Sequence, residues 1–242
     1  TLTPTLINQI VKNNKLKSII VSGTNGKTST TRLLGAVLSE GKINYCHNHS
    51  GSNLLRGIAT TLINQSGWNG KINVELALWE VDEATVPEAI KTIKPKIIVF
   101  TNLSRDQLDR YGEVDHLLGL WQTSLNTLPA DCRVLINAAD RRLKTLKYPG
   151  LTYFGSPVPG VGLKYPEQFQ GNFNQDSLWA VEAICRCLGL DENLARVCAE
   201  KAPPAFGRGE RFELNGQKYQ INLVKNPASL KAVWQMLLNR GH

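Results

Sequence analysis

The residues best suited to chemistry lie in the segment IIVSGTNGKTSTTRLL. There an apolar run passes into Gly23, Thr24, Asn25, Gly26, Lys27, Thr28 and Ser29, and a helical pattern follows. Glycines let backbone N–H groups turn inward around an anion. The start of a helix adds partial positive charge at the same place. Lys27 supplies a full charge for β- and γ-phosphates, and the Thr28 hydroxyl can ligate Mg²⁺. The expected ligands are therefore ATP and Mg²⁺. The usual spacing of such a loop wants a glycine at position 21, where this chain has Val21, so the loop is a shortened one. An ordinary glycine-rich strand-to-helix turn is the alternative. The strand before, the helix after and the Lys-Thr pair weigh against it.

Carboxylates and amides follow other apolar runs. Glu80 ends LALWE, and a carboxylate at a strand's carboxyl end can hold Mg²⁺ directly or through water. Lys27 and Glu80 are the candidate catalytic groups, because a charge and a held Mg²⁺ offset charge on a transferring phosphoryl group. Asp82 and Glu83 come next and fit a solvated helix start with N-terminal acids. Asp106, Asp109 and Arg110 lie in TNLSRDQLDRYGEVD, a loop too polar for a core, for which an ordinary solvated acid-rich loop is the alternative. Asn137 and Asp140 in LINAAD could take ribose or base, and Asp140 could equally cap the next helix. His47 and His49 sit in a polar loop with Ser50, Gly51, Ser52 and Asn53. Two histidines without a third ligand make a poor metal site. A substrate- or phosphate-facing loop is the better reading, so Ser50, Gly51, Asn53, Asp106, Asp109 and Arg110 are the candidate substrate contacts.

These side chains need elements to bring them together. Strands are expected at Ser18 to Val21, about Val74 to Glu80, Ile97 to Thr101, Arg133 to Asn137 and Thr152 to Phe154, with VGLK (161–164) a further short candidate. Helices are expected over 6–13, Thr28 to Glu40 with Gly41 as its cap, Leu54 to Gln65, a stretch from Pro87 to Lys94-Pro95, 113–126, Asn174 to Leu188, and Asp191 to Glu200. Strands separated by helices imply a doubly wound, mostly parallel α/β sheet. Ligands bind such sheets at the carboxyl ends of the strands, so the segments after positions 22, 80 and 101 should meet in one crevice. Residues 202–205 read as a linker. RFEL and YQINLV read as a hairpin around Asn215-Gly216, and Ala228 to Leu238 as a final helix. The expected organisation is an ATP-binding domain over 1–205 and the beginning of a second α/β domain over 206–242, too short for its own core.

Composition narrows the partners. The chain has 242 residues, 42% of them hydrophobic, and a formal charge of +8. No apolar run approaches the ~20 residues of a membrane helix, and the first residues lack the apolar core of a signal peptide. A cytoplasmic protein is expected. The five cysteines form no CxxC pair, which fits buried free thiols in a reducing compartment. The positive excess suits a polyanionic small substrate, such as a nucleotide or a pyrophosphate-linked precursor. No aromatic-basic strip accompanies it, which argues against nucleic acid.

In this order the motifs resemble the Mur ligase family, which also contains folylpolyglutamate synthases. GTNGKTST resembles its nucleotide loop, and Glu80 falls where the family places a Mg²⁺-binding glutamate. TNLSRDQLDRYG resembles TN-x-x-x-DHLD-x-H-G, and NAAD resembles N-x-DD. GNFNQDSLWAVEA resembles G-x-HN-x-x-N-x-x-AA, whose first Asn is implied to contact adenine; that residue is Asn174 here. FGRGER, with Arg208 and Glu210, resembles the GR-x-E hinge before the family's third domain, and Arg208 is an implied nucleotide contact. DQLDRYGEVD and LVKNPAS bring the chain nearest to the MurT-type branch, the synthetase subunits of lipid II isoglutaminyl synthases.

The chain also departs from the family pattern. Gln107 replaces a histidine implied to bind a second Mg²⁺. Trp121 and Gln122 stand where many members carry a carbamylated lysine, and Ser177 replaces the second Asn of the adenine segment. The four-cysteine zinc ribbon frequent in MurT-type proteins has no counterpart.

The resemblance implies an ATP-dependent carbon–nitrogen ligase subunit in peptidoglycan synthesis. It would activate the D-glutamate α-carboxyl of the lipid II stem peptide as an acyl phosphate, for amidation with ammonia. The ammonia would come from a separate glutaminase (GatD-like) subunit in a heterodimer, since no nucleophile motif for glutamine hydrolysis is seen. A folylpolyglutamate synthase-like ligase and a silent ATP-binding scaffold are the alternatives.

Overall fold

A computed structural model describes residues 2–48, 52–103, 113–155, 172–201 and 208–224, with positions 230, 233, 234 and 238. Four strands are apolar nearly throughout because both their faces are covered. They are β1 (Lys17–Ser22), β3 (Leu76–Glu80), β4 (Ile97–Phe100) and β5 (Arg133–Asn137). Two short strands, β2 (Tyr45–His47) and β6 (Leu151–Phe154), close the edges. The order is β2-β3-β1-β4-β5-β6, and every pair is parallel. Sequence reasoning missed β2, which pairs His47 with Leu78. The stretch read as one polar loop therefore begins as an edge strand.

Helices cover both faces. On one lie α1 (Leu2–Asn13), α3 (Leu55–Gln65), α4 (Val86–Ile93) and α5 (Glu113–Leu125). Their apolar sides pack with Ile20, Trp79, Ile98 and Phe100. On the other lie α2 (Lys27–Glu40), α6 (Asn172–Leu188) and α7 (Asn193–Lys201). These pack with Ile19, Val21, Leu78 and Val99. Alternate residues of one strand thus feed two cores, as the pleat requires. The expected doubly wound α/β fold is present, and its sheet is wholly parallel.

The ends of the helices follow local chemistry. Gly41 caps α2 at φ −72°, while Lys42 takes the left-handed position at φ 57°. The Gly41 and Ile43 N–H groups then return to the carbonyls of Val37 and Leu38, each at 2.8 Å. Lys94 ends α4 at φ 51°, just before Pro95.

The chain leaves β1 toward one edge of the sheet and leaves β4 toward the other. A crevice at their carboxyl ends is where such sheets take ligands.

Separately, β7 (Arg208–Leu214) and β8 (Gln217–Asn222) form the antiparallel hairpin expected from Asn215-Gly216. Both turn residues have positive φ, 52° and 75°, the geometry that favours this dipeptide. Positions 161–164 and 202–205 lie outside the described residues. The final helix is described only at Leu230, Val233, Trp234 and Leu238, which are helical. All five cysteines are free, and only Cys187 is exposed. Among the described residues no helix is long and apolar enough to cross a membrane, and no His, Cys, Asp and Glu cluster of metal-site size occurs.

Candidate functional site

The loop from Gly23 to Lys27 leaves the carboxyl end of β1 and is clamped by the end of β4. Asn102 accepts from the Thr24 N–H through its carbonyl at 2.9 Å, and from the Asn25 N–H through Oδ1 at 3.0 Å. The Thr101 hydroxyl and the Asn102 amide both donate to the Asn25 carbonyl, at 2.7 and 2.9 Å. Gly23 has φ 132°, and a Cβ there would lie 2.3 Å from Thr101 Oγ1 and 2.6 Å from the Asn102 carbonyl. Only glycine permits so close an approach. Gly26, at φ 89°, is the residue before α2. The first N–H groups of a helix have no intrahelical partner, so the start of α2 offers donors and positive potential to an anion. The Asn25 Nδ2 group is buried and lacks a partner, which leaves one further donor on this loop.

Glu80 reaches the same place from β3. Its carboxylate accepts from the Thr28 hydroxyl at 3.0 Å and from the Thr31 hydroxyl at 3.5 Å. It is 9% exposed, and its backbone is fixed by Asn48. The Asn48 Oδ1 accepts from the Glu80 N–H at 2.9 Å, and its Nδ2 donates to the Glu80 carbonyl at 2.8 Å. That amide extends the β2–β3 ladder beyond the last residue of β2. It also donates to the Ser52 carbonyl at 2.9 Å, tying down the start of the next segment. The Asn53 carbonyl accepts from the Asp82 N–H at 2.9 Å. A hydroxyl and a carboxylate side by side are hard oxygen donors of the kind Mg²⁺ takes.

Lys27 turns back over its own loop. Its ammonium donates to the carbonyls of Gly23 and Thr24 and pairs with Glu83, whose two oxygens are both 3.3 Å away. Asp82 caps a short 3₁₀ turn at Glu83–Thr85, accepting from the Ala84 N–H at 3.1 Å. Asp82 thus acts as the solvated helix-start acid expected of it, and Glu83 does not. Burial pushes the Glu83 carboxyl up, against the opposing pull of the Lys27 ammonium. Trp121 lies wholly buried and stacks on Phe100 with ring centroids 4.2 Å apart. Its indole N–H donates to the Glu83 carbonyl at 2.9 Å.

A second polar group forms beyond β5. Asn137 is nearly buried; its Nδ2 donates to Asp176 at 2.9 Å, and its Oδ1 accepts from the Ala139 N–H. Asp176 lies in the first turns of α6, and burial pushes its carboxyl up to about 7. The Asn137 bond opposes that rise, and Asp140 adds to it. Asp140 itself accepts from the Arg142 and Leu143 N–H groups, which is the capping role left open in the sequence, and from the Leu103 N–H at 2.7 Å. It therefore ties the segment after β4 to the segment after β5. Ser177, buried in α6, lies across from Gly26: a Cβ on that glycine would be 3.7 Å from its hydroxyl.

Gly23, Thr24, Asn25, Gly26, Lys27, Thr28 and Glu80 thus converge as one group, with Ser29 beside them in the first turn of α2 and Asn137 and Asp140 beyond β4, at the end of β5. Asn174 is in the first turn of α6 and Arg208 opens β7, both described in backbone only. Ser50, Gly51, Asp106, Asp109 and Arg110, along with His49 and Gln107, lie outside the described residues. Sequence reasoning passed over Asn48, Glu83 and Asp176 as site residues. Asn48 was hidden because a three-residue strand is too short to read, and Glu83 because acids at helix starts are commonplace. Asp176 carried only one signal, an acid inside an otherwise apolar helix face.

Residues 21–152 match the Mur ligase middle domain. A MurT subunit of lipid II isoglutaminyl synthase (glutamine-hydrolyzing) from Staphylococcus aureus is 27% identical, over 88% of this chain and 62% of that protein. The chain thus spans less than two thirds of that relative's length. Among solved structures, MurF from Acinetobacter baumannii superposes with a TM-score of 0.81 at 18% identity, covering 98% of this chain and 57% of that one. A MurF ligase from Thermotoga maritima, solved in complex with ADP, gives 0.80 at 15% identity, covering 98% and 60%. With the middle-domain match spanning more than half its length, and the fold shared with these ligases, the chain belongs to the Mur ligase family.

Proposed function

We propose that this chain is the nucleotide-binding part of an ATP-dependent, amide-forming ligase of the MurT type, acting on a peptidoglycan precursor. The observation that carries this reading is the meeting of Lys27, Thr28 and Glu80 at the carboxyl edge of the sheet, on a loop clamped by Thr101 and Asn102. In the reaction, MgATP would give its terminal phosphoryl group to the D-glutamate α-carboxyl of the lipid II stem peptide, leaving ADP, and ammonia would displace phosphate from the acyl phosphate to form the amide. The residues of this chain bind and orient. The start of α2 and the Lys27 ammonium hold the terminal phosphates and offset their charge. Thr28 and Glu80 would hold Mg²⁺. Asn137, Asp140, Asn174 and Arg208 take the nucleoside end. Ser50, Gly51, Asn53, Asp106, Asp109 and Arg110 are the candidate contacts for the acceptor.

A glutaminase partner supplies ammonia as the second subunit of a heterodimer, and residues completing the acceptor site come from the region after 206. The name of the Staphylococcus aureus relative, a subunit of a glutamine-hydrolyzing synthase, supports the partner. The setting we infer is the cytoplasm, where an ATP-dependent ligase finds its nucleotide.

The test is an amidation assay. The whole protein is incubated with its glutaminase partner, glutamine, MgATP and lipid II, and the stem peptide is read by mass spectrometry. Amidated D-glutamate is expected. Stoichiometric ATP consumption with folate and glutamate, and no amidated lipid II, would overturn the acceptor assignment.

A further inference from the structure

The Lys27–Glu83 pair is the feature that the proposed function leaves unused. Lys27 and Glu83 expose only 12% and 13% of their side chains, and both carboxylate oxygens face the ammonium at 3.3 Å. Glu83 is held from behind. Trp121 donates to its carbonyl at 2.9 Å and is itself fixed by the stack on Phe100, the residue just before the Thr101-Asn102 clamp. Asp82 caps the short turn that carries it. The ammonium's other acceptors are two carbonyls of its own loop. One anion therefore already neutralises the charge that a nucleotide's terminal phosphates would seek. In a half-dry crevice two anions repel strongly at one cation.

We propose that Glu83 is a positioning residue: it holds Lys27 across the loop in the nucleotide-free chain and gives it up to the phosphates, so that binding exchanges one anion for another. This rests on the reading of the loop as the ATP site. The exchange keeps the ammonium in place before the phosphates arrive and weakens nucleotide affinity in return.

Glu83→Gln keeps the size and the backbone bond to Trp121 and removes the charge. In calorimetry on the intact chain, MgATP and MgADP bind E83Q about tenfold more tightly than the parent, or about 1.4 kcal/mol. AMP, which lacks the β-phosphate, binds both alike. E83D, which keeps the charge, returns affinity toward the parent value. Trp121→Phe removes the donor that anchors Glu83, and it tightens MgATP binding by a smaller factor. That variant decides the matter if E83Q does not fold. Unchanged MgATP affinity in these variants overturns the proposal, as does a gain that extends equally to AMP. Weaker MgATP binding by E83Q also overturns it and gives Glu83 to the cation of the loaded site. A parent chain that binds no MgATP at all is a separate result, which removes the loop assignment itself.

Discussion

Gly23→Ala offers a direct probe of how the loop is built. Gly23 sits at φ 132°, and an added Cβ would lie 2.3 Å from Thr101 Oγ1, 2.6 Å from the Asn102 carbonyl and 2.9 Å from the Asn102 N–H nitrogen. The hydroxyl could rotate away, but the two backbone atoms cannot move without pulling on β4. The disfavoured φ costs about 1–3 kcal/mol, and the overlap costs about 1–3 kcal/mol more. Melting temperature falls by about 2–4 °C per kcal/mol in a chain of this size, so G23A should melt roughly 10 °C below the parent. Gly26→Ala is the matched control. Its φ of 89° is also unfavourable, yet its Cβ would meet nothing nearer than 3.7 Å. It carries the conformational cost alone, about 1–2 kcal/mol, and should melt only a few degrees low. Thermal denaturation followed by circular dichroism reads both. Adding Thr101→Ala to G23A should not restore stability, because the Asn102 carbonyl remains in the way. G23A melting within about 1 °C of the parent, or below it by less than G26A, would refute the argument.

Asn48→Ala removes the three hydrogen bonds that brace Glu80 and Ser52. Leaving the buried Glu80 N–H and carbonyl unpaired costs about 3 kcal/mol, and Mg²⁺-dependent nucleotide binding should weaken more than Mg²⁺-independent binding. Parallel melting and calorimetric titrations with and without Mg²⁺ check this. Asp176→Asn tests the second polar group by pH. The folded carboxyl titrates near 7 against an ordinary 3.8, so between these values the folded state holds a proton that the unfolded state has released. Stability from this group is full below about pH 4 and is lost as pH rises toward 7. The loss is at most about 4 kcal/mol, less because Asp176 keeps some solvent contact. Urea unfolding at pH 5 and pH 8 should show D176N gaining on the parent at the higher pH; a constant difference would contradict the assignment.

The fold was legible where burial on both faces wrote unbroken apolar runs. SIIV, LALWE, IIVF and RVLIN are such runs, and each is a strand of the sheet. The turn from Gly23 to Thr28 was legible for a related reason, because its glycines and its Lys-Thr pair stand between a strand and a helix. Two features escaped. Tyr45–His47 offers only three residues, two of them half-exposed, so no period can be read from it. Asn48, which completes that strand's ladder to Glu80, went with it. Glu83 looks like any acid at a helix start. Only the folded chain reveals that Trp121 draws its backbone inward and sets its carboxylate against Lys27. Long-range pairings of this sort leave no trace in local pattern. Asp140 shows the converse: the local capping alternative was visible in sequence, and its third bond, to Leu103 across two strand ends, was not.

The central claim is that the loop between β1 and α2 binds the phosphates of ATP. Isothermal calorimetry with MgATP on the intact chain and on Lys27→Ala, each checked for fold by circular dichroism, tests it most directly. Saturable heat is expected for the parent and none for a folded K27A. No heat from the parent, or equal affinity in the two proteins, would contradict it.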